Sequence, residues 1–157
     1  YREAQAGIDS VLQFEIPDSQ ITRDAKLGKL HPALLGYRWS GYVSGSGTVA
    51  MLQGNLSSRA QLKLRDLEME SDTGGIKCQG MNTEIIFKDL LNFHTEISQR
   101  IDFKSVDVSG MQLNAGHLDF EVINADSIYI EGGEFAFSGG FVVVQRQHRS
   151  VPQMRGA

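Results

Sequence analysis

Hydrophobic and polar residues alternate along most of this chain after residue 37, and the alternation predicts strands. Ala60, Leu62 and Leu64 fall on one side of an extended segment, with Arg59, Gln61, Lys63 and Arg65 on the other. The parity then slips. Leu67 and Met69 are odd-numbered and alternate with Asp66, Glu68 and Glu70. A slip of one residue would turn the apolar set to the opposite face, so a β-bulge is expected near Arg65-Asp66. Shorter strands are expected at Ile76–Gln79 and Glu84–Phe87. Ile101 and Phe103 then alternate with Asp102 and Lys104, Val106 and Val108 follow with a second slip at Ser105, and Leu118, Phe120 and Val122 alternate with His117, Asp119 and Glu121. The stretch "ADSIYIEGGEFAFSGGFVVV" (125–144) closes the series with Ile128–Ile130, Phe135–Phe137 and Phe141–Val144. Its glycine pairs, Gly132-Gly133 and Gly139-Gly140, read as corners.

Turn signals separate these segments: Gly54-Asn55, "SDTGG" at 71–75 and "SGMQLNAG" at 109–116. Segments of four to six residues recurring every eight to twelve point to an all-β meander, sandwich or solenoid. Amphipathic helices between strands are missing, which disfavours a βαβ sheet. "VLQFEI" (11–16) reads as a strand, "DAKLGKLHPALLG" (24–36) as a loop with a short helix broken at Pro32, and Lys88–Ile97 as one or two helical turns. The expected fold is therefore mainly all-β, with glycine-rich turns and one or two short helices. Residues 1–157 form a single β-rich domain, with a less regular part at 1–36 and a polar tail at 145–157 that frays.

Composition narrows the function more than the fold. A chain of 157 residues with 41% hydrophobic and 22% charged residues can build a core, which excludes a disordered segment. Net charge is −4 and the basic residues Arg146, Arg149 and Arg155 sit in the tail, so no field points to nucleic acid. No apolar run exceeds four residues, as in Phe141–Val144, far too short for a membrane span of about 20 residues. The single cysteine, Cys78, forms neither an intrachain disulfide nor a zinc site alone and reads as a small apolar strand residue. Because the chain opens on Tyr1 with no signal region, it is expected to be an excised piece of a longer protein or a mature form.

The search for chemistry finds little. "GSGTVA" (45–50) fits a dinucleotide turn superficially, but no helix follows to hold a pyrophosphate, and a flexible turn is the better reading. Asp66, Glu68, Glu70 and Asp72 recur at period two, where paired acids could bind calcium or do acid–base work, yet a strand's solvent face is where charges belong. His117 with Asp119, or His94 with Glu96, supplies two metal ligands where three or four are needed. No serine sits in a G-x-S-x-G elbow, and "NLS" (55–57) is a short sequon of little weight. No enzyme, cofactor or metal is therefore expected. An apolar strand face must still be covered, by a second sheet, a helix or a ligand.

Two stretches resemble a known pattern. Trp39 and Gly41 in "W-x-G", "LKLRDL" (62–67) and "GIKCQGMNTEIIFKDL" (75–90) are similar to the AsmA-like envelope proteins, most of all the YdbH branch, sometimes labelled dicarboxylate transport proteins. "GMQLNAGHLDF" (110–120) and the "F-x-x-x-G-G" of residues 135–140 resemble the same branch. The likeness covers roughly residues 37–142 and is one of apolar positions and glycines. It implies an elongated, curved antiparallel β-sheet or groove in the periplasm of Gram-negative bacteria, anchored in the inner membrane through a segment outside this chain. Its partners would be phospholipid acyl chains passing toward the outer membrane, and an outer-membrane or other envelope protein. The implied lipid-binding face carries Ile101, Phe103, Leu118, Phe120, Val122, Phe135 and Phe137. Two alternatives stay open: a closed β-sandwich or solenoid scaffold with a filled interior, and a carbohydrate-active β-solenoid using Asp66, Glu68, Glu70, Asp119 and Glu121.

Overall fold

The computed structural model describes residues 9–29, 32–137, 139–145 and 147–150. Within them the chain forms one antiparallel sheet of 12 strands that stays open rather than closing into a barrel. The strands are β1 (Ser10–Ile21), β2 (Tyr37–Leu52), β3 (Asn55–Ser71), β4 (Ile76–Asp89), β5 (His94–Thr95), β6 (Gln99–Phe103), β7 (Ser105–Val108), β8 (Met111–Leu113), β9 (Gly116–Asn124), β10 (Ser127–Phe137), β11 (Gly140–Val144) and β12 (Gln147–Ser150). The main path runs β1-β2-β3-β4-β6-β9-β10-β11. Two single-turn 3-10 helices, Leu27–Lys29 and Pro32–Leu34, join β1 to β2.

Local chemistry sets the hairpins. Gln53 and Gly54 both have positive φ, 51° and 79°, between the paired residues Leu52 and Asn55. That is the two-residue turn whose twist matches flanking strands. Ser109 and Gly110 repeat it, with φ 53° and 88°, between Val108 and Met111.

Several expectations need correction. The strands are much longer than four to six residues: β2, β3 and β4 span 16, 17 and 14. "GSGTVA" is no turn but the middle of β2, where Gly45 and Gly47 face Leu62 and Ala60. Gly139 is a corner, with φ +82°, but Gly132-Gly133 lies inside β10. A side chain at Gly133 would meet the Leu118 Cδ2 at 2.7 Å, so this glycine makes room for a neighbour. Lys88–Ile97 forms no helix; it finishes β4, turns, and adds the short β5. The tail does not fray at once, because Gln147–Ser150 pairs with Ser127–Ile130. Residues 151–157 lie outside the described set.

A line of irregularities crosses the sheet from strand to strand. It begins at the register break between Ile16 and Ser19 in β1 and passes Gly41 (φ +142°) in β2 and Asp66 (φ +47°) in β3. It continues through Gly80 (φ +61°) in β4 and Lys104 between β6 and β7. It ends where Asn114 donates to, and Ala115 accepts from, Ala136 of β10. The two parity slips seen in the sequence, at Arg65-Asp66 and at Ser105, are two points on this crease. A bulge bends its strand and keeps the apolar set on one face, and bulges aligned across neighbours bend the whole sheet.

The direction of the bend follows from exposure. On one side of the crease Leu67, Cys78 and Met81 are buried, packed by Ile21, Trp39, Leu64, Met69, Ile76, Ile101, Phe103 and Val106 from both halves. On the other side Asp18, Arg65, Asp66 and Lys104 are exposed. A single layer buries side chains on one face only by curving toward it, so the apolar face is concave.

Candidate functional site

The register defines the concave face residue by residue. Leu12, Phe14 and Ile16 of β1 pair with Val49, Gly47 and Gly45 of β2. Those pair with Ser58, Ala60 and Leu62 of β3, and Ala60, Leu62 and Leu64 pair with Phe87, Ile85 and Thr83 of β4. Thr83 pairs with Ile101, Ile101 with Leu118, and Leu118 with Gly133. Direct partners across a ladder point to the same face. One apolar surface therefore runs across all eight strands of the main path.

The seven residues named from sequence and resemblance all lie on it. Ile101 and Phe103 are in β6, Leu118, Phe120 and Val122 in β9, and Phe135 and Phe137 in β10. Phe120 and Phe135 are buried and the other five are half-buried. Phe103 and Phe135 pack with ring centroids 5.4 Å apart, and the Phe135 ring covers Gly116. Large side chains stand opposite glycines at several places: Phe14 over Gly47, Leu118 over Gly133, Leu62 beside Gly45. Each pairing lays the larger group flat on its neighbour's backbone and keeps the floor low.

The sequence reading missed the other half of the face, on β1 to β4. Leu12 and Leu56 are exposed there, at 63% and 55%. The signal was available in the alternation of Ala60, Leu62 and Leu64 and in the Gln53-Gly54 turn. Together these fix the register of β2 against β3 and so place Val43 and Val49 beside them.

Most polar groups on this face are satisfied within the protein; the exception is the buried Trp39 Nε1, which has no hydrogen-bond partner among the described residues. Thr83 donates to the Arg100 carbonyl at 2.6 Å. Ser58 donates to Asp89 and accepts from the Leu91 N–H at 3.0 Å. Gln99 accepts from the Ile86 N–H at 2.8 Å and donates to the Ile97 carbonyl. Thr95, fully buried, accepts from Val122 and donates to the Glu96 carbonyl. These bonds leave few polar atoms for a ligand to satisfy.

The convex face is charged. Arg100 donates to both Asp119 oxygens, at 2.7 and 3.2 Å, and this bond holds the Asp119 carboxyl below the usual carboxylate range, burial opposing it. His117 lies 3.8 Å from Asp119, and His94 lies 3.3 Å from Glu121 rather than beside Glu96. Glu70 takes Arg23 and Arg38, Glu68 accepts from Gln79, and Asp66 faces Lys104. The acids on β3 and those on β9 are separated by β4 and β6, about 14 Å at the usual strand spacing, so they form no common cluster. Among the described residues no three His, Cys, Asp or Glu side chains could share a metal. A shallow hollow of about 480 Å³ on this face is lined by Lys63 but also by Glu15, Asp18 and Glu84, the wrong charge for a dicarboxylate. Cys78 is buried, and burial pushes its thiol pKa up.

The chain matches no family model, no curated protein and no solved structure. Among the described residues no helix is long and apolar enough to cross a membrane.

Proposed function

We propose that the concave face binds the acyl chains of phospholipids and that the chain is one section of a lipid conduit in the bacterial cell envelope. One observation carries the reading. A continuous apolar surface crosses an open sheet, and among the described residues no second layer covers it. The likeness to AsmA-like proteins supplies the periplasmic setting, the acyl-chain ligand and an envelope partner.

The physics needs no motif. Burial of apolar surface contributes about 25 cal/mol per Å², so a hydrocarbon chain is held by area. The face has internally bonded polar groups and a floor kept low by glycines. Such a surface offers many near-equivalent positions, which suits movement along it better than tight capture at one point. A dicarboxylate substrate has no comparable support, because the hollow on the convex face is lined with acids.

The test is native mass spectrometry of protein purified without detergent. Co-purifying phospholipid is expected. Leu12→Glu and Leu56→Glu place charge on the exposed part of the face, where the fold tolerates it, and are expected to lower lipid occupancy with an unchanged circular dichroism spectrum. Protein that carries no lipid and takes none from phospholipid vesicles sinks the reading.

A further inference from the structure

Among the described residues the last strand of the main path, β11, has the sequence of an internal strand but stands at an edge. The long strands alternate apolar and polar residues over much of their length, with short apolar runs such as Val49–Leu52 of β2 inside the sheet. In β11, Gly140–Val144 reads GFVVV, apolar on both faces. Val142 pairs with Phe135 and shares the concave face, while Phe141 and Val143 pair with Ala136 and Glu134 on the charged convex side. There Phe141 and Val143 are 71% and 64% exposed. A short continuous apolar run bounded by turns is what a strand with neighbours on both sides looks like.

The backbone of this edge is open as well. The N–H and the carbonyl of Ala136 are both engaged with Ala115 and Asn114, on the side away from β11. Ala136 and Phe141 are therefore a non-hydrogen-bonded pair, and so are Glu134 and Val143 two residues on. It follows that Phe141 and Val143 turn their N–H and carbonyl groups outward, away from β10. Such a row is a ready template for another extended chain.

The opposite edge is blunted. β1 carries Pro17, a register break between Ile16 and Ser19, and the acids Glu15 and Asp18. Proline, bulges and charge all oppose strand addition. A head-to-tail stack of sheets, β11 onto β1, is thus disfavoured, whereas β11 onto β11 meets no charge and no proline.

We infer that β11 is a self-pairing edge, through which two copies of this chain join about a two-fold axis into one continuous sheet. Outward-facing residues must exchange bonds, which sets the register: Phe141 opposite the second copy's Val143, and the reverse, with Val142 at the axis. An axis perpendicular to the sheet keeps both concave faces on the same side and doubles the apolar surface. The contact is only five residues long, so association is concentration-dependent rather than obligate.

Sedimentation velocity in lipid-free, detergent-free buffer tests this apart from any lipid reading. The wild-type protein is expected to shift from monomer to dimer with rising concentration. Val143→Lys and Phe141→Glu are each expected to weaken the dimer at least tenfold with an unchanged circular dichroism spectrum. Mixing the two variants sets lysine opposite glutamate and is expected to restore the dimer. Amide hydrogen exchange at Phe141 and Val143 should slow as the dimer forms. A monomer at every concentration, a dimer indifferent to both substitutions, variants that do not recover on mixing, or a dimer that leaves both amides unprotected overturns the inference.

Discussion

Two regions of the sheet carry the same pattern and meet different fates. In the outer part of β1 to β3, apolar residues alternate with polar ones, yet Leu12 and Leu56 stay more than half exposed. Along the crease and in β9 and β10, the same alternation leaves Leu67, Met81, Phe120 and Phe135 between 4% and 7% exposed. Alternation says which face a residue occupies. Whether that face is covered depends on curvature and on the size of the side chains. Near the crease the sheet folds toward its apolar side, and bulky aromatics on adjacent strands reach each other. Far from it no described side chain covers Leu12 or Leu56.

The largest effect that separates the regions is a truncation. Phe135→Ala removes a buried ring packed on Phe103 and on Gly116, and is expected to destabilise by about 3–5 kcal/mol. Leu12→Ala removes an exposed side chain of the same face and is expected to stay within about 0.5 kcal/mol. Urea denaturation of both variants checks the pair. Equal losses would mean that the outer region is packed as tightly as the crease.

A smaller effect tests the crease itself. A methyl group at Gly41 would lie 2.7 Å from the Leu67 Cα and 2.9 Å from the Asp66 carbonyl oxygen, on a backbone with φ of +142°. Gly41→Ala is expected to cost about 1–3 kcal/mol. It should also open the cluster beneath, and Cys78 reports this. Its thiol is buried and held protonated by that burial, so labelling of the native protein is slow. Gly41→Ala is expected to speed labelling at least several-fold, whereas Leu12→Ala leaves it unchanged. The same rate in all three proteins would separate the crease from the core.

Much of this was legible in the chain. The slips at Arg65-Asp66 and Ser105 mark the crease in one dimension, because a parity change with conserved facing demands an extra residue. The all-β class and the shared face of Ile101, Phe103, Leu118 and Phe120 follow from period two, whereas the turn read at Gly54-Asn55 lies one residue earlier, at Gln53-Gly54. The glycines misled for a physical reason. Gly45, Gly47 and Gly133 serve a neighbour's bulk rather than a turn, and a single sequence does not show which large residue stands opposite. Strand length was underestimated because polar runs such as "SGSGT" interrupt the hydrophobic pattern without interrupting the ladder. Alternation alone did not show the openness of the sheet, since a sandwich strand and a single-layer strand alternate alike; the open groove was expected from the family resemblance.

The charged face supplies the smallest contrast, and a pH titration reads it. Asp119 is held below the usual carboxylate range first by its hydrogen bond from Arg100, with the charges of Arg100 and His117 adding to it. A carboxyl with a depressed folded pKa contributes stability above its unfolded value, near 4, and loses it as pH falls through the lower folded value. Stability should therefore decline below about pH 4, and Asp119→Asn should flatten that decline while leaving the neutral-pH midpoint only slightly lower. Arg65 and Asp18, the corresponding pair at the crease, meet at 2.6 Å, but both are exposed, at 39% and 59%. The exposure of this pair is the reverse of the concave face, where the crease buries Leu67, Cys78 and Met81. It follows from one geometry: a sheet that bends toward its apolar side crowds the residues inside the bend and spreads those outside it.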